Sequence, residues 1–349
     1  MINTNITWIF LIWALAIFIT VYFGFFNIYH SGLFSNNFFD NFANWDGGHY
    51  TKIAQFGYFN DSEYAFFPLY PLLISLLSKI TNNYILSALL ISVSASFLAT
   101  HILYKLLRLD LDKKIAEKAI LFLLMFPTSF FFLTAYTESL FFAFVVSTFY
   151  FARREKWLIA SVFASLACAT RLVGIAVVLA LLIEACGKKG NERKIVLFIA
   201  PLGFLIYCLY LFNVKGDPFY FLSAELHWQR HLSIPGVGFW NSLQRVAGSR
   251  FADAQALFDI LFAIFGLGIA IRCWRFLRPS YAIYATVSIL MPLFSPMLTS
   301  QARFLLPIFP IFILLAQIKN EKLILIYRVL SILLLGAFAV SFICGYWAG

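Results

Sequence analysis

Eleven apolar runs occupy most of this chain, and its charges are concentrated in the short segments between them. The first covers about Ile6 to Phe26; the others lie at about 84–107, 116–134, 138–152, 157–170, 172–186, 195–213, 254–275, 280–298, 304–318 and 323–346. A helix needs about 20 apolar residues to cross a bilayer, and in lipid the backbone must satisfy its own hydrogen bonds. The chain is 62% hydrophobic and only 12% charged, whereas soluble domains carry roughly 25% charged residues. It therefore reads as an all-α polytopic membrane protein, one integral-membrane domain over residues 1–349 with about eleven helical membrane segments. The first run lacks a basic leader and a small-x-small cleavage site, so it reads as an uncleaved helix rather than a signal peptide.

The formal net charge of +10 points to basic cytoplasmic loops, not to nucleic acid. Most of the 26 Lys and Arg fall in five clusters: Lys105/Arg108/Lys113/Lys114/Lys118, Arg153/Arg154/Lys156, Lys188/Lys189/Arg193/Lys194, Arg272/Arg275/Arg278 and Lys319/Lys322/Arg328. Placing all five inside puts the N-terminus inside and the C-terminus outside. It also makes residues 28–83, residues 214–252 and a turn near 296–303 external. Residues 157–186 join two inside clusters, so they must cross an even number of times. About 30 residues reach only ~45 Å as helix, too short for two full spans. A hairpin of two short helices with Thr170-Arg171 at its outer tip is expected; one long tilted helix burying Arg171 is the alternative. The first external loop is long and aromatic, which suits amphipathic helices lying on the membrane face. The five cysteines are scattered and carry no CxxC or Cys/His metal spacing, so neither a disulfide framework nor a metal site is indicated.

Against this background NWDGGHYTKIAQFGYF (44–59) stands out. Asn44 is a good N-cap for a helix beginning at Trp45, which would put Asp46 in the first turn, where the helix dipole favours an ionised carboxylate. Asp46, His49, Tyr50 and Ile53 then share one face. Gly47 and Gly48 are poor helix formers, and read as open space beside the carboxylate. That is the arrangement a general base needs, but from these residues alone Asp46 reads equally as a first-turn charge beside an interfacial Trp45. Asp61 and Glu63 are further acids in the same loop, followed by YAFFPLYPLL (64–73), a corner where the chain re-enters the membrane. Glu138, within PTSFFFLTAYTESLFF (127–142), is either a dipole-favoured first-turn acid or a cavity residue. GDPFYFLSAELHWQRH (216–231) brings His227, Trp228, Arg230 and His231 together. Arg303, in SPMLTSQARFLLPIFP (295–310), sits where it could snorkel to headgroups or bind phosphate. No nucleotide-binding loop is present.

Taken together, WDGGHYTKIAQFGY, AFFPLYPLL, FPTSFFFLTAYTESLFF, ATRLVG, GDPFYFL and ARFLLPIFP resemble the PIG-V-type mannosyltransferases. That family contains the second mannosyltransferase of GPI-anchor synthesis and shorter microbial relatives. The blocks run in the family's order from about residue 41 to 318. The resemblance implies the GT-C membrane glycosyltransferase fold. It also implies a polyprenyl-phosphate-linked sugar as donor and inverting transfer to an acceptor hydroxyl, on a glycan, a glycolipid or a protein, at the non-cytoplasmic face. That face belongs to the plasma membrane in a prokaryote and to the endoplasmic reticulum in a eukaryote. In the family's Trp-Asp position, Asp46 inherits the role of general base. The leaving lipid phosphate needs cationic partners, for which Arg171, Arg303, Lys52 and Arg230 are the candidates. Trp45, His49, Tyr50, Glu138, His227, Trp228 and His231 are the candidate substrate-binding residues. No cofactor or tightly bound metal is required by this chemistry, and an accessory membrane subunit is compatible with it.

Two other classes compete. A transporter or lipid flippase needs charges deep in several helices or related halves; Asp259 is the clearest mid-depth charge here, and no inverted repeat is evident. The clustering of Asp46 with Gly47 and Gly48 argues against a non-catalytic membrane scaffold or accessory subunit.

Overall fold

The computed structural model describes residues 3–28, 35–186, 191–249 and 253–348, and every regular element among them is helical. Lys188 and Lys189 of the basic clusters, and residues 29–34 and 250–252 of the two long loops, lie outside the described residues.

Five helices are long and apolar enough to cross a membrane: Thr4–Asn27, Tyr84–Leu107, Glu192–Lys215, Ala254–Phe276 and Glu321–Ile343. Shorter apolar helices stand among them, including Leu69–Thr81, Trp157–Thr170 and Gly174–Ala185. Their outward faces are oily. On the first helix Trp8, Ile12, Leu15 and Phe23 are exposed, and on the last Leu325, Val329 and Leu333. In water such faces would be a large unburied apolar patch; against acyl chains they need no partner. The protein is integral to the membrane.

The interior is filled by aromatic rings and small residues. Phe122, Phe126, Phe131, Phe141, Phe149, Tyr70 and Tyr284 are fully buried, and alanines on the Trp157–Thr170 and Gly174–Ala185 helices let backbones approach closely. Those two helices form a hairpin rather than one tilted rod. The chain becomes extended at Arg171 (φ −155°), and the turn is tight enough that a Cβ on Gly174 would lie 2.6 Å from the Cys168 backbone. Only glycine fits there.

Some long apolar runs are broken. Residues 304–318 make two short helices, Gln301–Leu305 and Pro310–Ala316. Pro307 and Pro310 have no N–H to give, so a continuous helix is impossible through them. The run 195–213 is likewise interrupted at Ala200-Pro201, between Glu192–Ile199 and Leu202–Lys215.

Polar groups gather at the two ends of the bundle. At one end Arg153 forks onto both carboxylate oxygens of Asp110, with Nη2–Oδ1 at 2.7 Å. Arg278 lies 3.7 Å from Asp110 and 3.8 Å from Glu184, and the Ser280 hydroxyl donates to Glu184. These two acids and two bases balance and tie four inter-helix connections together. The Glu138–Arg153 helix runs from this end to the other, where Asp46 lies.

Candidate active site

The segment leading to Asp46 differs from the sequence expectation in a telling way. The helix runs Asp46–Phe56, and Trp45, not Asn44, precedes it. The Asn44 amide instead donates to the Phe342 carbonyl at 2.9 Å, tying this loop to the last membrane helix. Trp45 has φ 58° and ψ −121°, a conformation that costs a bulky residue energy and collects at functional sites. Gly47 does not open a cleft: a Cβ there would lie 3.2 Å from the Ala135 carbonyl and 3.4 Å from Ala43 and Tyr136. The glycine permits close packing of the Asp46 turn against residues 135–136, and Gly48 is buried as well.

This packing brings Asp46 against a charge chain contributed by four distant segments. Asp46 Oδ2 accepts from Arg303 Nη1 at 2.6 Å. Arg303 Nε lies 3.4 Å from Glu138 Oε1, and that oxygen accepts from Arg171 Nη1 at 2.5 Å. Glu138 is only 1% exposed. Arg171 also donates to Thr137 at 3.2 Å. Three guanidiniums, those of Arg171, Arg230 and Arg303, lie 5.8, 5.5 and 5.4 Å from the centre of one ring, Phe304. Arg303 is further enclosed by Phe131, Tyr136 and Trp347, all within 5.6 Å. Trp347 in turn meets Trp45 edge-on at 5.5 Å.

Electrostatics follow from this enclosure. Burial alone would push the Asp46 carboxyl up, but the charge and hydrogen bond of Arg303, helped by Arg230, hold it below the ordinary aspartate range. Asp46 is thus ionised at neutral pH. Arg303, despite a burial cost, is held charged by Asp46 and Glu138. Burial pushes His49 below its usual value, against the pull of Asp46 and Glu63, so it is a neutral imidazole, stacked on Phe66 at 5.1 Å and edge-on to Trp228 at 5.0 Å.

Several polar atoms around this centre are buried and lack a hydrogen-bond partner within the protein: His49 Nδ1, Glu138 Oε2, Ser139 Oγ, Ser300 Oγ, Gln301 Nε2 and Trp347 Nε1. Folded proteins leave few such atoms, since each costs about 1–3 kcal/mol. Their concentration around one centre offers a bound polar molecule several groups to pair with.

The other sequence candidates divide. Tyr50 approaches the chain through Thr137, hydroxyl to hydroxyl at 3.4 Å. Lys52 and His227 are exposed. His231 lines a separate cavity. Asp61 pairs with Lys215 at 2.6 Å. Glu63 is buried rather than solvated, and accepts from the backbone N–H of Phe59 and Asn60 at 3.0 and 3.3 Å, closing its own turn. Asp259 is buried and accepts from the Gln301 N–H at 2.9 Å. It holds the start of the short helix that presents Arg303, behind Ser300 at φ 77°. Tyr136, Phe304 and Trp347 escaped the sequence reading. In a chain with 42 Phe, 17 Tyr and 8 Trp an aromatic is no signal in itself; only the adjacency of Phe304 to Arg303 was available. Among the described residues no three His, Cys, Asp or Glu side chains gather as metal ligands.

The fold is similar to a crystal structure of the Archaeoglobus fulgidus oligosaccharyltransferase tethered with an acceptor peptide. The TM-score is 0.53 at 15% identity, covering 99% of this chain and 56% of that one. The likeness is one of fold, and the chain spans little more than half the length of that enzyme. No curated protein matches significantly. The family model described as Mannosyltransferase (PIG-V) matches residues 29–193, the part that supplies Asp46, Glu138 and Arg171. That segment, a little under half of the chain, is similar to the PIG-V mannosyltransferases.

Proposed function

We propose that the protein transfers mannose from a polyprenyl phosphate to an acceptor hydroxyl at the non-cytoplasmic face, with Asp46 as general base. The observation that carries this reading is the meeting of an ionised carboxylate, three arginines around Phe304 and a set of unpartnered buried polar atoms. The donor's phosphate fits the arginines, whose planar forks suit phosphate oxygens. In the free protein Arg303 occupies Asp46. When the phosphate takes up Arg303, Asp46 is left to accept the proton of the acceptor hydroxyl. That oxygen attacks the anomeric carbon opposite the phosphate. The bond from the carbon to the phosphate oxygen breaks, its electron pair leaves with the polyprenyl phosphate, and the sugar is inverted. Arg171 and Arg230 neutralise the leaving charge. Glu138, between Arg171 and Arg303, sets their spacing, and its free Oε2 faces a ligand hydroxyl. His49, Trp228 and Trp45 line the sugar's surroundings. Asp259 favours no transporter reading, because its carboxylate is committed to the Arg303 helix.

The eleven-segment topology and the external placement of Asp46 belong to the same proposal. They are supported by the basic residues at the end away from Asp46, where Lys105, Arg108 and Lys113 stand beside the balanced Arg153–Asp110 and Arg278–Glu184 network. The exposed stripe Leu72, Leu76 and Ile80 suits the Leu69–Thr81 helix to the membrane face.

Purified full-length protein in lipid vesicles, given a polyprenyl-phosphate [3H]mannose, is expected to release polyprenyl phosphate and label an acceptor from its native membrane extract. An intact donor after prolonged incubation would overturn the reading. Orientation has its own test. In intact cells a Phe59→Cys variant should react with a membrane-impermeant maleimide, while the exposed native Cys186 reacts only after permeabilisation. The opposite order would invert the topology.

A further inference from the structure

A cavity borders the segment that carries Arg230, and its chemistry differs from that of the Asp46 centre. It measures about 350 Å³ and is lined by Gln229, His231, Asn241, Ser242, Arg245, Pro296 and Met297, at the small end of ligand sites, which run on the order of 300–1,000 Å³. Two stretches of chain serve both places. Trp228 and Arg230 reach His49 and Phe304, while their neighbours Gln229 and His231 line the cavity. Arg230 also donates to the Thr299 carbonyl at 3.2 Å, in the turn whose Pro296 and Met297 form the cavity wall and whose continuation carries Arg303.

The lining selects its ligand. Arg245 is ion-paired, its Nε and Nη2 both donating to Asp253 Oδ2 at 3.1 and 2.9 Å, so its charge is balanced beside the cavity. What remains is hydrogen-bonding capacity in both senses: the Gln229 amide, the Ser242 hydroxyl, the His231 imidazole and the Asn241 carbonyl oxygen, whose amide nitrogen is tied to Pro296 O at 2.9 Å. Such groups can donate and accept together, as hydroxyl groups require. Pro296 and Met297 supply an apolar wall for the C–H face of a ring. A lipid chain would leave these polar groups unpaired, and a phosphate finds its cations instead on the far side of Arg230.

We propose that this cavity binds a neutral saccharide residue of the acceptor, away from the hydroxyl that reacts. This deepens the transferase reading and rests on it for the word acceptor, not for the binding itself. Two variants separate the issues. Ser242→Trp fills the cavity. Gln229→Gly with His231→Ala strips two exposed side chains while glycine keeps the left-handed backbone of residue 229 (φ 56°), so it tests the proposal even if the first variant fails to fold.

Saturation-transfer NMR on the full chain in nanodiscs, with methyl glycosides of mannose, glucose, galactose and N-acetylglucosamine, is the direct measurement. At least one glycoside should receive saturation from the wild type and from Asp46→Asn, and lose it in the cavity variants. No contact with any of the four in the wild type, or contact that persists in the variants, would overturn the proposal. In transfer assays with extracted native acceptor, the half-saturating acceptor concentration should rise about tenfold, as the loss of two hydrogen bonds implies, with donor KM unchanged; a rise in donor KM instead would also overturn it. Should Asp46→Asn transfer normally while the cavity variants lose glycoside, the catalytic assignment fails and the cavity stands.

Discussion

Replacing Asp46 with asparagine is expected to lower mannose transfer about 10²–10⁴-fold, the range that a positioned general base contributes. The substitution is nearly isosteric, and its side-chain oxygen can still accept from Arg303, so the protein should remain folded and keep its donor affinity within a few-fold. A drop in turnover without a matching rise in donor KM separates a base from a mere anchor. The pH dependence sharpens the test. In the free protein Asp46 lies below the ordinary aspartate range, because Arg303 outweighs burial. A depressed carboxylate keeps its ion pair at all pH values above its unfolded value, about 3.9, and loses it as pH falls through the lower folded value. The acid limb of kcat/KM, which reports the free enzyme, should therefore fall below about pH 4. Once a phosphate draws Arg303 away, burial dominates and the acid limb of kcat should move to higher pH. Coincident acid limbs would sink the exchange of Arg303 between Asp46 and phosphate, and near-normal turnover in Asp46→Asn would sink the base itself.

The second large effect concerns stability as well as activity. Arg303→Met removes the cation shared by Asp46 and Glu138 and leaves both carboxylates enclosed with less compensation. Breaking a buried pair by removing one partner costs about 3–5 kcal/mol, which should appear as a clear fall in the thermal midpoint in detergent, together with loss of transfer. The methionine retains much of the packing against Phe131, Tyr136, Phe304 and Trp347, so the loss reports charge more than volume. Adding Asp46→Asn to Arg303→Met should restore part of the midpoint, since the two sites share one interaction and cannot be additive. An Arg303→Met protein as stable as the wild type would mean that the ion pair contributes nothing. A double variant whose loss equals the sum of the single losses would show that the two residues act independently of their contact.

Both expectations depend on residues 257 positions apart, and that separation marks how far the sequence could be read. Asp46, Glu138, Arg171, Arg230 and Arg303 were each visible as polar groups misplaced in an apolar chain. Nothing in their spacing said that one arginine serves two acids, or that three arginines ring Phe304. Asn44 read as a cap because asparagine suits that position in general; tertiary structure gave its amide to the Phe342 carbonyl instead. Gly47 read as free space, and is a point of contact. Lys52 has the right charge, but its place on the helix leaves it exposed. The aromatic cage was illegible because aromatics are everywhere in this chain.

The sequence by itself determined the class and most of the segments. Apolar surface in excess of any soluble core demands lipid, and the backbone demands helices there. Tyr84–Leu107 and Trp157–Thr170 begin and end where the apolar runs do, because charge and N-capping residues act locally along the chain. Arg171 at a hairpin tip followed from length and charge alone. Tertiary structure alone decided which loops meet, since contacts across the bundle depend on ring shapes, glycine clearances and proline breaks that no local pattern encodes. It turned a carboxylate that could have been a first-turn charge into one end of a chain of alternating charges, Asp46–Arg303–Glu138–Arg171, buried at its middle two members, with Trp45 strained beside it.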